Sequence, residues 1–147
     1  MWTFPEREKG KTKSERLPTR IEERKLEETL PTTIQGKPVQ SKDEARVAVG
    51  LAVIGWRFVY QRAFYGGRTR PGGIVVDFLV LTPGPATPLL MQSRYWHVIR
   101  DRRAKDVYQL SRLRSIPNLA NPIEIWDYQT TTIQATIREL IHLLGRG

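Results

Sequence analysis

The sequence predicts an α/β domain with a mixed four-stranded sheet flanked by helices, in the order α-β-β-β-α-β-α. Three observations lead to it. Apolar residues recur at helical spacing in residues 41–55 and again in 130–145. Between these segments lie short runs of β-branched and aromatic residues, separated by glycine- and proline-rich turns. A further helical segment falls between the third and fourth runs. That crossover makes the sheet mixed and covers both of its faces.

Each element has a local reason. Ser41-Lys42-Asp43-Glu44 has capping-box spacing, and Val47, Leu51 and Ile54 mark the buried face of a helix ending near Gly55. Residues 57–65 read as a strand. Residues 66–73 hold four glycines and a proline, a turn that brings the next strand back antiparallel. Residues 74–81 are apolar except for Asp77, which predicts a central strand. Three prolines make 82–88 a loop, and 89–96 reads as a third strand. Asp101 caps a helix carrying Ala104, Val107, Leu110 and Leu113. Pro117 and Pro122 bracket a loop, and 123–128 reads as the fourth strand. The threonines at 130–132 open a last helix striped by Ile133, Ile137, Leu140, Ile141 and Leu144 and stopped by Gly145.

Residues 1–40 read as a charged N-terminal arm ahead of a domain spanning 41–147. Within the arm, 20–30 forms a short charged helix whose only aliphatics are Ile21, Leu26 and Leu30, too few for a core of its own. Trp2 and Phe4 at its tip are aromatic anchors for a protein partner.

The chain of 147 residues has no cysteine, which excludes disulfides and thiolate metal sites. No apolar run approaches the ~20 residues of a spanning helix, and the first residues are too charged for a signal peptide. The expected location is the cytoplasm or the interior of a phage particle. The net charge of +9 is uneven. Residues 1–46 hold 11 basic and 9 acidic side chains, whereas 47–147 hold 13 and 6, with all but one of those bases arginine. Arginine forks fit phosphate oxygens and stack on bases, so the expected partner is DNA. Arg68 and Arg70 lie on the glycine-rich hairpin, Arg94 lies at a strand end, and Arg100, Arg102, Arg103 and Lys105 cluster where a helix begins.

Four stretches carry a family likeness: Gly55-Trp56-Arg57-Phe58 with Gln61 beyond, Gly73-Ile74-Val75-Val76-Asp77-Phe78, Tyr95-Trp96-His97, and Arg103-Ala104-Lys105-Asp106. With the element order, they resemble the PD-(D/E)XK, or restriction-endonuclease-like, superfamily, nearest its very-short-patch repair endonuclease branch. The likeness spans roughly residues 41–145, and it rests on order and spacing rather than on any one stretch.

The resemblance places Asp77 on the superfamily's metal-binding aspartate. Active relatives carry a carboxylate and then a lysine or aspartate on the next strand, just before an aromatic-Trp-His segment. Counting back from Tyr95-Trp96-His97 puts those positions at Leu90 and Gln92, and a shifted register puts them at Gln92 and Arg94. Residues 90, 92 and 94 share a strand face, so either register points at one pocket. His97 matches an active-site histidine of that branch. The resemblance therefore names Asp77, Gln92 and His97 as catalytic candidates, with Asp77 as the metal ligand. Mg²⁺ is implied only for a catalytic protein. Leucine at 90 cannot ligate a metal, and glutamine at 92 is uncharged. Glu44 supplies a second carboxylate if its helix faces the site. An aspartate at a strand end also serves simply to hydrogen-bond its neighbours.

Three readings follow. The first expectation is a nucleic-acid-binding protein with a nuclease-like fold, weakly active or inactive, working within a phage or mobile-element assembly. The second is a Mg²⁺-dependent DNA endonuclease using Asp77 and His97. The third is a structural assembly protein whose arm docks on a neighbouring subunit.

Overall fold

A computed structural model of the protein describes residues 17–67, 70, 73–93 and 108–147. Helix α1 (Arg20–Glu28) starts at Thr19, whose hydroxyl accepts the Glu22 N–H while the Glu22 carboxylate accepts the Thr19 N–H. A small hairpin follows, β1 (Thr33–Ile34) against β2 (Lys37–Pro38). Helix α2 (Lys42–Ile54) begins at Ser41, whose hydroxyl accepts the Glu44 N–H at 3.2 Å. It ends at Gly55, which takes the left-handed conformation (φ 102°) that glycine adopts without strain.

Strands β3 (Phe58–Phe64), β4 (Ile74–Val80), β5 (Thr87–Gln92) and β6 (Ile123–Trp126) form one sheet in that order. The first two pairings are antiparallel and the last is parallel. Helix α3, described over residues 108–114, precedes β6. A 3-10 turn (Asp127–Gln129) leads into α4 (Ile133–Leu144), where the Thr132 hydroxyl caps the Ala135 N–H. The mixed sheet and the helix–strand order expected from the sequence are both present.

The buried side chains form two clusters. In one, Val47, Leu51 and Ile54 of α2 and Ile133, Ile137 and Leu140 of α4 bury Tyr60, Phe78, Val80, Leu89 and Ile125. Gly50 lets the helices approach, since a Cβ there would lie 2.9 Å from Leu140 Cδ1. In the other, Leu110 and Leu113 of α3 pack with Ile74, Val76 and Leu90. Each fully buried aliphatic contributes roughly 1.5–3 kcal/mol.

The described part of the arm lies against this domain. Leu17, Leu26, Leu30 and Val39 pack on the α2–α4 core. Arg46 ties the segments together, bonding Glu27 at 2.7 Å, Asp43 at 3.3 Å and the Thr130 carbonyl at 3.0 Å. The β1–β2 hairpin, which propensity alone did not announce, covers the outer edge of β3. Gln35 Nε2 donates to the Phe58 carbonyl, Gln35 Oε1 accepts the Tyr60 N–H, and Lys37 Nζ donates to the Tyr60 and Gln61 carbonyls. Side chains thus satisfy an edge that would otherwise invite another strand.

Several boundaries differ from expectation: the first helix ends at Glu28 rather than at 30, and the third strand ends at Gln92 rather than at 96. Strand β5 begins at Thr87, inside the expected loop, because Pro88 precedes the first β5–β6 pair at Leu89 and its missing N–H interrupts nothing there. The fourth strand stops at Trp126, where Asp127–Gln129 coil into the 3-10 turn and the Gln129 side chain accepts the Trp126 N–H.

Candidate functional site

The sheet splits at Asp77. Strands β4 and β5 pair only at Phe78–Leu89, Leu79–Pro88 and Val80–Thr87. Beyond Phe78, β4 continues with β3 as far as Ile74, while β5 continues with β6 as far as Gln92. The register with β3 also omits the pair Gln61–Asp77, and Gln61 takes a positive φ of 51°. Asp77 and Leu90 therefore stand where two halves of the sheet part.

Side chains occupy the backbone positions that a continuous ladder would have filled. Asp77 Oδ2 accepts the Met91 N–H at 2.8 Å. Gln109 of α3 donates to the Val75 carbonyl at 3.0 Å. An amide lost to the ladder and buried unpaired costs about 1–3 kcal/mol, so both contacts stabilise the opening. The hydrogen-bonding use of Asp77 is thus visible in the fold itself.

Leu90 is 5% exposed and belongs to the α3 core, so the position implied for a second carboxylate is an apolar contact. Gln92 ends β5, half-buried, opposite Trp126 of β6. Among the described residues, no group of three or more His, Cys, Asp or Glu stands close enough to hold a metal. Asp77 has one carboxylate oxygen on the Met91 amide, and position 90 offers no oxygen ligand. His97, Arg68, Arg94, Arg100, Arg102, Arg103 and Lys105 lie outside the described residues.

Glu44 does face into the domain. It is 6% exposed, and the Tyr60 phenol donates a hydrogen bond to its Oε1. The capping-box expectation is corrected accordingly. Ser41 makes its half, but the Glu44 carboxylate reaches the sheet. Gln61 Nε2 donates to the same phenol at 3.3 Å. Burial raises the Tyr60 phenol well above its ordinary pKa, and the Glu44 hydrogen bond and charge raise it further, with Asp77 adding to the effect. Tyr60 was legible only as a strand aromatic, because its polar role depends on a helix glutamate sixteen residues away in sequence.

A second feature lies at the same open end. Arg112 of α3 places its guanidinium 4.4 Å from the centre of the Tyr65 ring, and Arg62 lies 4.7 Å from that of Phe64. Arg70 is exposed and its side chain runs beside Gly66. Tyr65 is 50% exposed and Tyr108, at the start of described α3, 55%. Between residues 57 and 114 the described chain holds the arginines 57, 62, 70, 112 and 114 and a single acid, Asp77. Among the described residues, no helix is long and apolar enough to cross a membrane.

Compared with protein-family models, with curated proteins and with solved structures, the chain matches none.

Proposed function

We propose that the protein binds nucleic acid, DNA in the first place, through the arginine-and-aromatic surface at the open end of its sheet, and that it does not hydrolyse the bound strand. The observation that carries this reading is the grouping of Arg62, Arg70 and Arg112 with Phe64 and Tyr65 around the β3–β4 hairpin and α3. Guanidinium groups neutralise phosphates, and exposed rings offer faces for bases. The restriction-endonuclease-like kinship belongs to the same proposal, supported by the element order and by the parting of β4 from β5 at Asp77. A place within a phage or mobile-element assembly remains part of it. The non-catalytic part is supported by Leu90 in the apolar core and by the Asp77 carboxylate on the Met91 amide.

The test pairs a gel shift with plasmid nicking in Mg²⁺ or Mn²⁺, for wild type and Asp77→Asn. The expected result is equal binding by both proteins and no nicking by either. Nicking by wild type that disappears in Asp77→Asn would replace this reading with the metal-dependent endonuclease. Absence of any binding by wild type would remove the nucleic-acid reading and leave the assembly role of the arm.

A further inference from the structure

The β3–β4 turn keeps a tyrosine where glycine is the inexpensive choice. Tyr65, Gly66 and Gly67 have φ of 54°, 86° and 67° in succession. Glycine occupies the second and third of these left-handed positions, but a bulky aromatic holds the first. A ring-bearing residue rarely adopts that backbone, and such strain persists where the surrounding structure enforces it and function retains it. Here the ring is held by Arg112, 4.4 Å from its centre, and is half exposed. A core role would bury the ring, and a solvent-facing turn would not need one.

Resting on the nucleic-acid reading above, we infer that Tyr65 is a stacking platform for an unpaired or terminal nucleobase. The guanidinium orients the ring, and it adds positive charge beside the strand that carries the base. Arg62, beside the Phe64 ring, and Arg70, beside Gly66, take the adjoining phosphates. A base inside a duplex has both faces covered by its neighbours, so a single exposed ring gains a partner only from an unpaired base or a strand end. Stacking of this kind tolerates any base, because every base has a flat π-face. The substrate class is therefore single-stranded or overhang-bearing nucleic acid, without sequence preference at this contact.

The test uses fluorescence anisotropy of the full chain with three labelled probes: oligo-dT, a blunt duplex, and the same duplex with a single-stranded overhang. Tyr65→Gly is the informative variant, because glycine accepts the positive φ without strain and leaves the fold in place, as an unchanged thermal midpoint would show. Tyr65→Phe keeps the ring. Tyr65→Gly is expected to weaken oligo-dT and overhang binding about tenfold or more, with blunt-duplex binding nearly unchanged, while Tyr65→Phe stays near wild type. Equal loss on all three probes would overturn the inference while leaving nucleic-acid binding intact, as would no loss at all. Failure of wild type to bind any probe would remove the underlying reading and the platform with it.

Discussion

Asp77 and Tyr60 show how one polar atom in a sheet core is tied to its surroundings. With Asp77→Ala the Met91 amide loses its acceptor at the point where β4 and β5 part. Stability is expected to fall by about 1–3 kcal/mol, read as a lower urea midpoint at unchanged m-value. Tyr60 gives a pH signature. Its phenol sits 1% exposed against Glu44, with Asp77 nearby, and ionises less readily in the folded protein than in the unfolded chain. A raised folded pKa means that the contribution is complete below the unfolded value of about 10 and is lost as pH rises toward the folded one. Wild type should therefore lose stability above about pH 10 more steeply than Tyr60→Phe. Denaturation midpoints across the alkaline range would show parallel curves if the phenol were irrelevant.

At the scale of elements, the small β1–β2 hairpin decides how the sheet ends. Gln35 bonds both the Phe58 carbonyl and the Tyr60 amide, acting as a short stretch of backbone would. Gln35→Ala should cost about 1 kcal/mol or slightly more, because these groups lie near solvent and water replaces part of what is lost. Its second consequence is a bared edge, so the variant should show more self-association by light scattering at high concentration. A variant that stayed monomeric at wild-type stability would show that the hairpin covers the edge without need of Gln35. Helix α3 works at this scale too: its leucines fill the parted half of the sheet, and its Gln109 and Arg112 reach Val75 and Tyr65.

For the whole molecule the decisive quantity is charge. A net charge of +9 favours polyanions at long range, and salt screens it. Affinity for a fixed duplex should fall linearly in a plot of log K against log salt, and Arg62→Ala or Arg70→Ala should each reduce that slope by about 1. Titrations at four or five salt concentrations would expose an unchanged slope, which would place phosphate contact elsewhere. The described residues 17–40 bear on the assembly reading. Leu26, Leu30 and Arg46–Glu27 hold them to their own domain. Their removal would therefore disturb the fold before it disturbed a partner.

Local pattern by itself determined the α/β class, the element order, the central place of β4 and the caps at Ser41, Thr132 and Gly145. These depend on residues within a few positions of one another, where periodicity and capping act. It also exposed the apolar residue at position 90, which chemistry alone bars from a metal. Tertiary structure decided what lies far apart in the chain. It turned Glu44 from a capping partner into the acceptor of Tyr60, set Asp77 against the Met91 amide, and laid the hairpin at 33–38 along β3. It also brought Arg112 over the ring of Tyr65, 47 positions earlier in the chain. The physical reason is common to all four. A polar group or ring takes the partner that folding brings within reach, and that partner is set by how strands diverge and helices pack.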